Sequence, residues 1–227
     1  MRKQLLHVCA VAGAGLIGFA LSASAQASIV SYSHTTTSQA VPLSDSFLLQ
    51  GFDPSLGTLT GVTLTLDTSS TAEVDVLNIS DIVPSPGPGT PLPFSDATVS
   101  IPVTATGPGS TTVSDTLMAG PVTGTATVFY PAVNMYPGLP ATDSNTDNVL
   151  PVDFASYIGV GMIVPVSVSA SAGTYAGSGS SDVLFGGSAV AGAVTTVTYT
   201  YDSVPEPASL GLIAMALPML ARRRRTV

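Results

Sequence analysis

Between residues 28 and 203 the chain has no lysine and no arginine. All six basic residues stand at the ends, Arg2 and Lys3 at the start and Arg222, Arg223, Arg224 and Arg225 at the finish. Thirteen of the fourteen acidic residues fall in the same basic-free stretch, so the body carries a formal charge of −13 against −8 for the whole chain. Such a body repels phosphate backbones, because affinity for nucleic acid is largely counterion release by Lys and Arg. Nucleic acid is thereby excluded as a partner. Tryptophan is absent, and the one cysteine, Cys9, lies close to the N-terminus. The body therefore has no disulfide, no thiol nucleophile and no thiolate ligand, and it must be stabilised by packing and sheet hydrogen bonds. Convincing helical periodicity is also missing between residues 28 and 203.

What is present alternates with a period of two. Val62, Leu64 and Leu66 stand between threonines, Val164, Val166 and Val168 follow the same rule, and so do Val197, Tyr199 and Tyr201. One face of each stretch is apolar and the other wet, which predicts half-buried strands. Further strands are predicted at residues 28–35, 46–50, 73–79, 98–103, 111–117 and 122–130. Close spacing, with Gly, Pro, Ser and Asp between them, predicts an all-β domain, an antiparallel β-sandwich or jelly roll. Asp53-Pro54 and Gly57 read as a turn entering the strand at Leu59. The Pro- and Gly-rich insert at residues 84–94 is expected to be an exposed loop, and residues 134–148 a second one.

The two ends have a different organisation. Residues 1–27 combine a basic start, an apolar run and small residues at Ala23, Ala25 and Ala27, the plan of a signal peptide that signal peptidase removes after Ala25 or Ala27. At the other end, residues 208–221 are apolar and as a helix would span about 21 Å. That is a marginal crossing of a hydrocarbon core of about 30 Å. Arg222, Arg223, Arg224 and Arg225 hold such a helix at the inner membrane by snorkelling and by the positive-inside rule. Just before it, Pro205-Glu206-Pro207 keeps the chain extended, because proline supports neither helix nor sheet pairing there.

Pro-Glu-Pro, a short apolar segment and an arginine cluster at the chain end resemble the PEP-CTERM sorting signal of Gram-negative bacteria. The resemblance implies an exosortase-type membrane enzyme as partner, transient membrane anchoring, and delivery to the cell surface or exopolysaccharide. The signal covers residues 204–227 and leaves 28–203 as one domain. Within it, FDPSLGTLTGVTLTL, YAGSGSSDVLFGG and VTTVTYTYD resemble the choice-of-anchor E domain of bacterial surface proteins. No catalytic motif accompanies that resemblance.

Candidate chemistry in the body is sparse. His34 is the one histidine after the leader, and no G-x-S-x-G elbow accompanies it, so an exposed strand residue is expected there. Glu73, Asp75 and Asp81 are the nearest carboxylate cluster for glycoside hydrolysis, and equally a solvated face. In DSNTDN, Asp143, Asn145 and Asp147 have the one-three-five spacing of a calcium loop, with Asn148 placed for a left-handed turn. Position twelve is Phe154 instead of a bidentate glutamate, and ordinary turn chemistry explains the run equally well. Apart from that calcium loop no cofactor is expected. The resulting expectation is a non-enzymatic surface or matrix protein, structural or adhesive. Its rivals are a carbohydrate- or calcium-binding module and a surface hydrolase.

Overall fold

The computed structural model describes residues 27–80, 90–109, 111–127 and 132–204. The signal segment before Ala27, the Pro-Glu-Pro motif, the apolar run and the four arginines lie outside the described residues, as do Asp81 and Tyr130. Among the described residues no helix is long and apolar enough to cross a membrane.

The body is all-β. Its strands are β1 (Ala27–Ala40), β2 (Leu43–Gln50), β3 (Gly57–Asn78), β4 (Leu92–Thr106), β5 (Thr112–Ala126), β6 (Asn134–Asn148), β7 (Met162–Ala170), β8 (Thr174–Gly179) and β9 (Val183–Ser203). Two short 3-10 turns, Pro54–Leu56 and Pro151–Tyr157, interrupt them. Sheet A runs β1-β9-β3-β6, and sheet B runs β2-β7-β4-β5 with β8 also paired to β4. Every strand pairing is antiparallel.

The period-two stretches become strands for the reason the pattern gives. Val62, Leu64, Leu66, Val74 and Val76 of β3 are buried, as are Val164, Val166 and Val168 of β7 and Val197 and Tyr199 of β9. The two stretches expected at 62–66 and 73–79 are one strand of 22 residues. Asp67 to Ala72 do not break it, because Thr68, Ser70 and Ala72 continue the inward alternation with side chains small enough to be buried. Asp53 caps the turn before β3, its Oδ1 accepting the Ser55 amide at 2.8 Å. The hydrogen bonds from Ser55 hold its carboxyl below the usual range.

The core is shared by both sheets and divides along the strand direction. One part is aliphatic and alanine-rich, with Leu64, Leu66, Val74, Ile101, Leu117 and Ala191 among its buried members. The other gathers Leu49, Phe52, Tyr157, Val166, Val197 and Tyr199. The second part lies at the end where β1 starts and β9 finishes, since Ala27 pairs with Asp202 and Gly57 with Ser203.

One expected loop is corrected, and so is the end of another. Residues 134–148 form β6, which pairs with β3 from Asn134↔Val76 to Asn148↔Thr63. β6 is an edge strand, so Pro137 and Pro140 withhold no ladder bond from a second neighbour. Of the insert expected at 84–94, residues 84–89 lie outside the described residues, and its end from Leu92 belongs to β4, where Phe94 is 3% exposed and part of the core.

Candidate functional site

The outer face of sheet A carries an ordered polar arrangement; sheet B has hydroxyl rows too, Ser44, Ser169, Thr104 and Ser114 in one and Ser46, Ser167, Thr106 and Thr112 in the next. Alternate residues of β1, β9, β3 and β6 point to the outer face of sheet A, and antiparallel register aligns them in rows. Ser31, Thr198, Thr63 and Asn148 form one row; Ser33, Thr196, Thr65 and Thr146 form the next; Thr35, Val194, Asp67 and Ser144 form the third. Neighbours within a row are about 4.8 Å apart, and rows follow one another at about 6.7 Å along the strands. The hydroxyls interact across the strands: Ser31 Oγ lies 2.9 Å from Thr198 Oγ1 and Thr65 Oγ1 lies 2.8 Å from Thr146 Oγ1. Ser144 Oγ donates to Asp67 Oδ1 at 2.6 Å. A threonine is stiff at χ1 and each hydroxyl both donates and accepts, so the rows offer a fixed lattice of hydrogen-bonding groups.

The lattice is indented at its third row. A recess of about 280 Å³ lies among residues 35–38, 67–69 and 192–194. A Cβ at Gly192 would meet Ser38 Oγ at 2.8 Å, so the bulge in β1 and the glycine require one another. Across Asp67 a wider, open recess is bounded by Thr68, Thr142, Asp143 and Ser144. Asp67 is thus the carboxylate common to both.

Each long side of the sandwich also holds a hydroxyl–carboxylate pair. On one side, Thr36 Oγ1 donates to Asp45 Oδ2 at 2.9 Å, and His34 Nε2 lies 3.4 Å from the same oxygen. The His34 ring stacks on Phe47 with centroids 3.9 Å apart. His34 is therefore a strand residue as expected, but half-buried and engaged. On the other side, Thr68 Oγ1 lies 3.1 Å from Asp115 Oδ2 and 3.2 Å from the Asp143 carbonyl oxygen, so one proton serves two acceptors. Burial pushes the Asp115 carboxyl up; the Thr68 hydrogen bond opposes this, and the charges of Asp143 and Asp67 add to it.

Asp143, Asn145 and Asp147 stand on β6, at alternate positions of an extended strand. The wrapped loop that their spacing implied is not formed. Asn145 Nδ2 donates to the Ser114 carbonyl at 3.0 Å, while Asp143 Oδ1 and Asp147 Oδ1 accept the amides that follow them. Asp96 is the one non-glycine residue with positive φ among those described, so Asn148 does not make the left-handed turn. Among the described residues no group of three or more His, Cys, Asp or Glu is arranged to hold a metal ion.

Glu73 and Asp75 occupy alternate positions of β3, opposite Ser188 and Gly186 of β9. Tyr136 meets Phe94 edge-on at 5.6 Å, whereas Tyr157 is fully buried at the far end of the core. The hydroxyl rows were not read from the sequence, although the repeats Thr63/Thr65 and Thr196/Thr198/Thr200 signalled that each strand has a threonine face. The chain matches no protein-family model and no curated protein.

Proposed function

We propose that this is a secreted protein of a Gram-negative cell surface or exopolysaccharide matrix, sorted by its C-terminal signal and non-catalytic, with a structural or adhesive sandwich. The hydroxyl lattice on the outer face of sheet A carries the adhesive part of this reading. A polysaccharide presents repeating hydroxyls, and a stiff, repeating donor–acceptor surface suits it without electrostatic attraction. The absence of Lys and Arg from the body fits a neutral glycan partner better than an anionic one. The sorting part rests on Pro205-Glu206-Pro207 followed by the apolar run and Arg222 to Arg225.

The test uses the full chain secreted by an exosortase-bearing host. Protein released from the cells is expected to lack the arginine tail in mass spectra, and peptides containing Arg222 to Arg225 in that fraction would overturn the sorting reading. Released protein is expected to be retained on the host's purified exopolysaccharide. Replacing Thr63, Thr65, Thr196 and Thr198 by valine keeps the β-branched shape and removes the hydroxyls. Retention should fall about tenfold or more, because a hydrogen bond contributes about 0.5–1.5 kcal/mol and about 1.4 kcal/mol is tenfold in affinity. Unchanged retention would remove sheet A from the proposal.

A further inference from the structure

Among the described residues, large apolar side chains are exposed mostly at one end of the sandwich. Val152 is 82% exposed, Val160 70%, Ile29 68%, Val204 61%, Leu150 57% and Met162 56%. Backbone hydrogen bonds fix this end in place. Phe52 N donates to the Tyr157 carbonyl, Gly159 N to the Phe52 carbonyl and Gly51 N to the Gly161 carbonyl, which fastens residues 157–161 to the start of the first 3-10 turn. Val149 N donates to the Val62 carbonyl and Val204 N to the Leu56 carbonyl, so the last described residue is tied to the same end. The opposite end, where β9 begins, exposes Leu184 of β9 and Met135 of β6, and Met118 is exposed on β5 opposite Ser100. Scattered apolar side chains on a surface need no explanation, but their concentration at one end does.

Chain length supplies the occupant. Three residues separate Val204 from Ala208, where the apolar run of residues 208–221 begins. The four Cα–Cα steps between them reach at most about 14 Å. With that run in a bilayer, this end of the sandwich cannot stand farther than that from the headgroup layer. We infer that the exposed apolar end seats on the membrane surface while the C-terminal run is inserted, with Val152, Val160 and Met162 entering the headgroup region. The inference rests on the sorting reading for the insertion of that run. Asp53, Asp153 and Asp202 lie at the same end and keep the contact shallow. With no Lys or Arg in the body, attraction to anionic lipid contributes nothing, so seating is driven by apolar area and opposed by negative surface charge. A seated body would hold Pro205-Glu206-Pro207 against the bilayer, within reach of a membrane-embedded processing enzyme.

The experiment places single fluorophores on the full chain carrying Cys9→Ser, reconstituted into phosphatidylcholine vesicles containing spin-labelled lipid. The labels are attached at Val160→Cys, Leu184→Cys and Ala214→Cys. Quenching at positions 160 and 214 but not at 184 is expected. Raising the phosphatidylglycerol fraction should weaken quenching at 160, and added salt should restore it. Quenching at 214 alone overturns the seating and leaves the sorting reading intact. No quenching at 160 or 214 overturns both. Equal quenching at 160 and 184 overturns the directional contact. A position-160 label that is already shielded without lipid, increasingly so with protein concentration, assigns the end to a second copy of the chain and overturns the membrane as its occupant.

Discussion

The two ends of the sandwich are both plugged by aromatic rings, but by different means. At the end where β1 starts and β9 finishes, Phe52, Tyr157 and Tyr199 are at most 1% exposed. Phe52 lies 5.8 Å from Tyr199 and 5.2 Å from Tyr201, and Tyr199 lies 6.2 Å from Tyr32. The phenols find carbonyl partners, Tyr199 donating to Gln50 at 2.9 Å. At the other end Phe94 is buried, while its edge-on partners Tyr136 and Phe185 remain partly open. Between the ends, β9 contributes only the small buried side chains of Ala189, Ala191 and Ala193. Among the described residues, the end where β1 starts and β9 finishes thus has its rings more fully buried and exposes more large apolar side chains.

Breaking the comparison begins with Phe52→Ala, which should cost about 3–5 kcal/mol in urea unfolding, against less than half as much for Phe185→Ala. Equal losses would show that the two plugs are equivalent. Next is Gly177→Ala, whose Cβ would stand 2.5 Å from the Phe185 ring. Overpacking of that kind costs about 1–3 kcal/mol, and because this ring is partly open it should yield, placing the loss at the low end. Tyr199→Phe removes one buried hydrogen bond and should cost about 1 kcal/mol, separating ring packing from the phenol's contribution.

The smallest effect is a pH response. Burial pushes the Tyr199 phenol well above its usual range and raises the Tyr157 phenol as well. An acid whose folded pKa is raised favours its protonated form in the folded state. The associated stability is therefore present below the unfolded pKa of about 10 and is lost as pH rises above it. Melting temperature should fall above about pH 10, and Tyr199→Phe should flatten that decline. An unchanged slope would mean that the phenol is not protected in the folded protein.

Strand positions were largely legible, because Val164/Val166/Val168 and Val197/Tyr199/Tyr201 display a buried face directly in sequence. β6 was not legible. An edge strand whose residues from Thr142 to Asn148 are all exposed shows no apolar alternation, and its Asp, Ser, Asn and Pro residues are also turn formers. The calcium spacing in DSNTDN was read on the premise of a loop, and pairing with β3 removed that premise. Phe94 was hidden by the prolines before it, since composition reports a loop's centre better than its end.

By itself, the sequence determined that the body is all-β, because period-two alternation can bury only one face of an extended chain. It also determined the confinement of positive charge to the two ends. Tertiary structure alone decided that threonines from separate strands stand in common rows, that Thr36 and Thr68 meet carboxylates of the facing sheet, and that apolar side chains gather where the chain leaves the sheet. Those relations depend on register across long sequence separations, and register is set jointly by both strands of each pair.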